Sequence, residues 1–368
     1  MNTTSVLIKP ASGSCNMRCD YCFYRDEMSK RKIPLYGFMS EETLKNVIRK
    51  TMLTAEGMIT YVFQGGEPTL CGIDFFKKVL EYQKKYNKYG IQVQNTFQTN
   101  GYAIDKDWCS FLTENNFLVG VSVDGTKETH DYYRHDKYGN GTYGKVRQSI
   151  KMFDEYGVEY NVLTVVHNKV AENIKDIYFE YKRNGWNYQQ YIPCLEPLGK
   201  RNKEEYALSP EQYGKFLIEL FEMWYSDVKN KCQPYIRHFE NYIAILLGYC
   251  AEACDQRGRC SIQNVIEADG SVYPCDFYVL DTYKLGNLNN ERMMCINNSE
   301  IGKQFIQRSL VKNRECMECK YYSLCKNGCF RHRDFVEVEG SYKNFFCTSY
   351  KIFFENCYEK LKEIADLL

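Results

Sequence analysis

Residues 14–24 read SCNMRCDYCFY and bring three cysteines, Cys15, Cys19 and Cys22, into one short stretch. A metal centre closed by protein usually has four ligands, so three thiolates at CxxxCxxC leave one corner open. Two completions fit the spacing. One is a zinc ion finished by a distant His or Cys, although zinc sites more often present CxxC pairs. The other is an iron-sulfur cube in which the protein holds three irons and leaves the fourth to a substrate. The motif follows directly on SVLIKP (5–10), a predicted strand, and carries the aromatic Tyr21 just before its last cysteine. The next apolar run, ITYVFQ (59–64), ends in Gly65-Gly66-Glu67-Pro68. Glycines there let backbone groups approach a ligand, and Glu67 is placed to hold an ammonium group.

Outward from these two strand ends, short apolar runs alternate with amphipathic stretches. Ser40 predicts a helix cap, with Leu44, Val47, Ile48 and Met52 on one face, and a second helix is expected over 74–86. IQVQNTFQ (91–98), a helix from Asp105, FLVGVSVDG (117–125), a helix from Thr142, VEYNVLTVV (158–166), a helix from Ala171 and WNYQQYIP (186–193) continue the series. Six strand-helix units of this kind predict an α/β fold with a parallel sheet. They run out near Leu195, which fits an open, partial (β/α)6 barrel better than a complete eight-fold one. The polar, glycine-bearing GGEP (65–68), TNG (99–101) and DG (124–125) all follow strands, so the chemistry is expected at the carboxyl ends of the sheet. The predicted organisation is a barrel over 1–195, a helical connection over 196–250, a cysteine-rich domain over 251–348 and a last helix over 349–368.

Composition narrows the function classes. Forty-eight basic against 47 acidic residues leave a formal charge of +1, no electrostatic footprint for nucleic acid or an anionic membrane. No run approaches the ~18 apolar residues of a membrane span, and MNTTSVLIKP lacks the charged and apolar regions of a signal peptide, so a cytoplasmic protein is expected. Eighteen cysteines in such a chain point to metal where they cluster and to small buried hydrophobes where they stand alone, as at Cys71, Cys109, Cys194, Cys232, Cys295 and Cys357. After Cys250 the texture turns to short segments rich in Cys, Gly, Asn and Arg, which are expected to need metal clips. Cys316, Cys319, Cys325 and Cys329 with Cys347 supply five thiolates, and Cys254, Cys260 and Cys275 three more, enough for two four-cornered sites. Two zinc ribbons would satisfy the same count, and spacing alone does not exclude Cys250 as a ligand.

CxxxCxxC after one strand and GGEP after the next together resemble the radical S-adenosylmethionine (radical SAM) superfamily. The resemblance implies that the amino and carboxylate groups of SAM fill the open corner of a 4Fe-4S cluster on Cys15, Cys19 and Cys22. It also implies that Tyr21 and Gly66 contact SAM, and that Ser122, Arg134 and Leu195 line the same pocket. By position alone Ser122 is a strand-end serine and Arg134 a solvated arginine. The C-terminal cysteines resemble the SPASM extension, a domain with two auxiliary 4Fe-4S clusters. That implies Cys254, Cys260, Cys275 and Cys329 for one cluster and Cys316, Cys319, Cys325 and Cys347 for the other.

The strings IKPASGSCNMRCDYCFY, FQGGEPTL, FQTNG, FLVGVSVDG and EADGSVYPCDFYVLD are similar to those of the anaerobic sulfatase-maturating enzymes, over residues 6–357. This resemblance implies oxidation of a Cys or Ser in a CxPxR or SxPxR segment of an unfolded sulfatase precursor to Cα-formylglycine. A 5'-deoxyadenosyl radical would remove a Cβ hydrogen, Asp276 would act as base, and an auxiliary cluster would take the electron. The bland alternative for Asp276 is an ordinary loop aspartate, or a turn residue that bonds its own backbone. A flavodoxin- or ferredoxin-type electron donor and a monomeric enzyme are expected. Two other functions are open. A SPASM maturase that crosslinks a ribosomal peptide would be expected to carry a leader-binding domain ahead of the cysteine motif, where only a short stretch lies. A noncatalytic metal-binding protein would have no use for GGEP and Arg134.

Overall fold

A computed structural model describes residues 3–368. Its strands are β1 (Thr3–Ile8), β2 (Met58–Phe63), β3 (Gln92–Thr99), β4 (Phe117–Ser122), β5 (Tyr160–Val166), β6 (Tyr188–Pro193), β7 (Tyr235–Ile236), β8 (Val265–Ile266), β9 (Ser271–Tyr273), β10 (Gly286–Asn287), β11 (Arg333–Val336) and β12 (Ser341–Asn344). The chain forms two compact units. The first runs to Ser122 and adds Arg134–Tyr160 and Ser261–Phe305, and the second comprises Val123–Tyr133, Asn161–Cys260 and Ile306–Leu368.

In the first unit the strands lie in the order β10-β9-β8-β1-β2-β3-β4. From β8 to β4 neighbouring strands are parallel, and Thr3 opposite Met58 through Ile8 opposite Phe63 makes β1 and β2 end level. The helices are α1 (Phe23–Ser29), α2 (Glu41–Met52), α3 (Gly72–Tyr86) and α4 (Lys106–Glu114), and Tyr143–Tyr156 forms another. Ser40 accepts from the Thr43 amide at 3.1 Å, and Asp105 accepts from the Trp108 amide at 3.0 Å, the caps predicted from sequence. Leu44, Val47, Ile48 and Met52 of α2 are buried as the periodicity requires. Under the sheet Phe63, Phe76, Phe97, Trp108 and Phe117 form an aromatic cluster with edge-on contacts.

Residues 261–305 depart from expectation. They build ordinary core as well as carrying Cys275 and Cys295, because Val265, Tyr273 and Val279 pack with Leu7 of β1. Strand β8 pairs parallel with β1, and the Asp269-Gly270 turn folds β9 back on β8. Strands of two and three residues are too short to show a hydrophobic period.

In the second unit β5, β6 and β7 run parallel. Helix Pro210–Lys229 starts at a Ser209 cap, completed by Gln212 as a capping box. Phe221 and Trp224 of this helix meet Phe239 and Phe353 at ring distances of 5.2 to 5.9 Å. The helix expected from Ala171 is split into Asn168–Glu172 and Ile174–Arg183, with Asn173 between them. Residues 196–209 are irregular rather than helical, because the Glu196 carboxylate gathers the amides of Asn202 and Lys203 at 2.7 and 2.9 Å. The last helix, Cys347–Asp366, begins early enough to include Cys347. Of the isolated cysteines, Cys109, Cys194 and Cys357 are buried, whereas Cys71 is half-buried and Cys232 and Cys295 are exposed. Cys232 follows the end of its helix, and Cys295 lies on the outer side of a short one whose Met293 and Ile296 face inward. No described helix is long and apolar enough to cross a membrane.

Candidate active site

The level ends of β1 and β2 place the cysteine loop against the glycine turn. Amides of Gly66 and Glu67 donate to the carbonyls of Ser12 and Ser14, both at 2.8 Å. A Cβ on Gly66 would stand 1.9 Å from the Ser14 oxygen, and Gly65, at φ +118°, is 2.8 Å from the Ser12 oxygen by the same measure. These glycines are therefore needed for the loop itself to close, before any ligand is considered. Cys22 opens α1 as its N-cap residue. The Arg18 amide donates to His135 O at 2.7 Å, and Met17 pairs with Asp136, so residues 134–136 brace the loop from the far side.

This bracing positions Arg134, which is buried rather than solvated. Its guanidinium lies 5.5 Å from the Tyr21 ring centre, with Nη1 4.0 Å from Cys19 Sγ. Asn100, in the turn after β3, donates to Cys15 Sγ at 3.5 Å and to Asn16 Oδ1 at 2.8 Å, and the Met17 amide lies 3.4 Å from the same sulfur. A cation and N–H donors around sulfurs suit thiolates, the form in which cysteine binds iron. Burial pushes the Cys15 thiol up to about 11, so the charge on sulfur depends on a bound group. Ser122, at the end of β4, accepts from Gln98 Nε2 at 3.3 Å. Leu195 lies in the second unit, in a small cavity with Cys194, Arg201 and His332.

Glu67 has a different task from the one predicted. Its fully buried carboxylate accepts from the Thr69 amide and hydroxyl, the Thr99 hydroxyl and the Asn100 amide at 2.8 to 3.1 Å. It is a strut from β2 to β3 that orients Asn100, with four protein donors where an ammonium was expected.

Asp276 sits in a buried polar network that sequence did not reveal. Tyr24 donates to Asp276 Oδ2 at 2.6 Å, and Gln64 Nε2 donates to the same oxygen and to the Tyr24 hydroxyl, both at 2.9 Å. The other carboxylate oxygen, Oδ1, is buried with no hydrogen-bond partner among the described residues. The Lys9 ammonium lies 4.4 Å above the Tyr24 ring and 3.1 Å from Glu267 Oε1, which also takes Arg31 Nη1 at 2.6 Å. Burial pushes Asp276 above the usual carboxylate range, against the opposing pull of Lys9 and the Tyr24 bond. Burial works against the Glu267 charge as well, but Lys9 and Arg31 outweigh it and hold that carboxyl at about 2.

Glu27 is the third carboxyl of this network, its Oε1 accepting from the Val279 amide at 3.2 Å. Burial raises it from an ordinary 4.5 to about 8, partly offset by Lys9. Between these values the folded chain keeps a proton that the unfolded chain has lost, so Glu27 makes stability fall as pH rises through that window. Glu27→Gln has no such loss. Its thermal stability relative to the unaltered enzyme should therefore rise from about pH 5 to about pH 8, by a total of a few kcal/mol. A pH-independent difference would show that the carboxyl is ionised throughout.

In the second unit Cys316, Cys319, Cys325 and Cys347 line one cavity, with Tyr350 and Phe354 among the walls. Four thiols facing one enclosed space are a donor set that fits an iron-sulfur cube. Burial raises the Cys329 thiol, and the neighbouring Cys254 and Cys260 add to the rise. Cys275, the remaining residue of the predicted set, belongs to the first unit and precedes Asp276, and Cys250 is exposed.

Two family models match the chain: the radical SAM superfamily over residues 10–180 and SPASM, an iron-sulfur cluster-binding domain, over residues 254–320. With the cysteine loop and glycine turn as described, the protein is a radical SAM enzyme with a SPASM extension. A cysteine-type anaerobic sulfatase-maturating enzyme of Clostridium novyi is 44% identical, covering 100% of this chain and 99% of its own. A serine-type anaerobic sulfatase-maturating enzyme of Bacteroides thetaiotaomicron is 32% identical, covering 95% of this chain and 88% of its own. The solved structure of native anSMEcpe with bound AdoMet and Kp18Cys peptide matches with a TM-score of 0.95 at 41% identity, covering 100% of both chains. The chain belongs to the anaerobic sulfatase-maturating enzymes. Its cofactors are SAM and three 4Fe-4S clusters, one that binds SAM and two auxiliary.

Proposed function

We propose that this enzyme oxidises a cysteine in an unfolded sulfatase precursor to Cα-formylglycine, with Asp276 as the base. The observation that carries the role of Asp276 is its divided carboxylate. Tyr24 and Gln64 hold Oδ2, while Oδ1 is left without a partner in the same buried pocket. An oxygen so placed can accept the proton of a substrate thiol, and burial raises its basicity toward that task. The 44% identity to a cysteine-type enzyme against 32% to a serine-type one supports cysteine as the target.

The bound SAM cluster and SAM supply hydrogen abstraction at the target Cβ, and the auxiliary clusters supply an electron sink. The chain's own residues do the rest. Cys15, Cys19 and Cys22 hold the SAM cluster, with Arg134 and Asn100 beside their sulfurs. Tyr21, Gly66, Ser122 and Leu195 line the SAM pocket. Cys254, Cys260, Cys275 and Cys329, and Cys316, Cys319, Cys325 and Cys347, hold the auxiliary clusters. Electrons come from a flavodoxin- or ferredoxin-type donor, and a monomeric enzyme acts in the cytoplasm before the sulfatase folds.

The test is the reduced enzyme with SAM and short peptides containing CxPxR or SxPxR, followed by mass spectrometry. The Cys peptide should lose sulfur and two hydrogens and gain one oxygen, with the Ser peptide reacting more slowly. A loss of two hydrogens alone from the Cys peptide, without an aldehyde, would instead mark crosslink formation.

A further inference from the structure

Cys325 and Cys329 belong to different thiol sets and are joined by Lys326-Asn327-Gly328. All three linker residues have left-handed backbone, with φ of 45°, 66° and 58°. Glycine adopts this conformation freely, but lysine and asparagine do so at a cost and hold it only when their surroundings enforce it. A Cβ on Gly328 would stand 2.3 Å from Asn344 Nδ2, so the third residue has no substitute.

The enforcing group is Arg333, at the start of β11. Its buried guanidinium donates from Nε to Asn327 O at 2.9 Å, from Nη2 to Gly328 O at 2.8 Å and from Nη1 to Ser309 O at 2.7 Å. Asn344 adds bonds to Asn327 from its amide at 2.9 Å and its side chain at 3.0 Å. Ser309 in turn accepts the Cys260 amide at 2.9 Å. One side chain thus fixes the linker between the two sets and reaches, through Ser309, a further ligand of the first. Its charge also acts on Cys260, Cys329 and Cys316, members of both sets.

We propose that Arg333 is a positioning residue for the two auxiliary clusters, locking the left-handed linker between them and placing one buried positive charge where both feel it. This rests on the assignment of these cysteines as cluster ligands. A guanidinium suits the task because its planar donors can bind three carbonyls at once and stay charged when buried. A cation beside a cluster favours the reduced form, so its loss makes reduction harder.

The experiment is a redox titration of the iron-loaded enzyme, followed by electron paramagnetic resonance, for Arg333→Gln and Arg333→Lys. Arg333→Gln should keep its iron and show both auxiliary clusters at more negative potentials, with the SAM cluster unmoved. Arg333→Lys, which keeps the charge, should lie closer to the unaltered enzyme. Unchanged auxiliary potentials in an iron-replete Arg333→Gln would overturn the proposal. If Arg333→Gln loses auxiliary iron, adding Lys326→Gly, which relieves the left-handed strain, should restore it, and failure to restore it counts against the lock. Cys260→Ala and Cys316→Ala serve as controls. If neither removes an auxiliary signal, the ligand assignment falls, and the proposal with it.

Discussion

The triple variant Cys15→Ala, Cys19→Ala, Cys22→Ala is expected to retain about eight of about twelve irons and to release no 5'-deoxyadenosine from SAM. This is the largest effect the site predicts, because without the three thiolates the cluster proposed to activate SAM has no protein ligand left. The variant should still fold. Backbone bonds from Gly66 and Glu67 to Ser12 and Ser14, and from Arg18 to His135, close the loop without metal. The eight cysteines proposed for the auxiliary clusters are untouched. Iron content, the paramagnetic signals of the reduced protein and deoxyadenosine by chromatography together decide the matter. Deoxyadenosine formed by the variant would remove the three thiols from the reaction, and loss of all iron would show that the loop supports the whole molecule.

Asp276→Asn should separate two steps that normally run together. Hydrogen removal from Cβ needs no base, whereas aldehyde formation must also dispose of the thiol proton. Loss of a positioned base typically slows its step by ~10² to 10⁴. Asparagine keeps the shape and an oxygen to accept the Tyr24 hydroxyl and Gln64 amide, so the pocket should persist. The variant is therefore expected to hold three clusters and cleave SAM at a near-normal rate, while formylglycine falls by about two to four orders of magnitude. If the carboxylate were structural, iron, deoxyadenosine and formylglycine would all drop in one preparation. Full formylglycine yield would exclude Asp276 as the base.

Features that are local in the chain were legible from the sequence. The CxxxCxxC loop, the glycine turn, the helix starts at Ser40 and Asp105 and the six long strands each announce themselves within a few residues. What escaped depends on contacts far apart in sequence. Tyr24 meets Asp276 across 252 positions, and nothing beside Tyr24 marks it as a partner of that carboxylate. Lys9 lies within the strand string SVLIKP with no local sign of a partner, yet it is buried and paired with Glu267. Glu67 stands out beside its two glycines, but its partners Thr99, at the end of β3, and Asn100, in the turn after it, set its role. Asn100 itself stood in a TNG turn whose glycine drew the attention. Arg333 was hidden for the same reason, since the carbonyls it binds carry no side-chain signal at all.

The pairing of β8 with β1 has a bearing on how the protein is made. Strand β1 leaves the ribosome ahead of its partners on one side, β2 and β3, which follow soon after. Its other edge is covered only when Asn264 and Ile266 arrive to accept the amides of Leu7 and Lys9. Until those residues are made, the apolar strand beside the cysteine loop is an open edge, a template on which another nascent chain could pair. The segment that closes this edge is also the one that carries Asp276. A chain cut short before residue 264 therefore keeps the sticky edge and lacks Asp276, so the segment that protects β1 from aggregation is also the one that brings the proposed base.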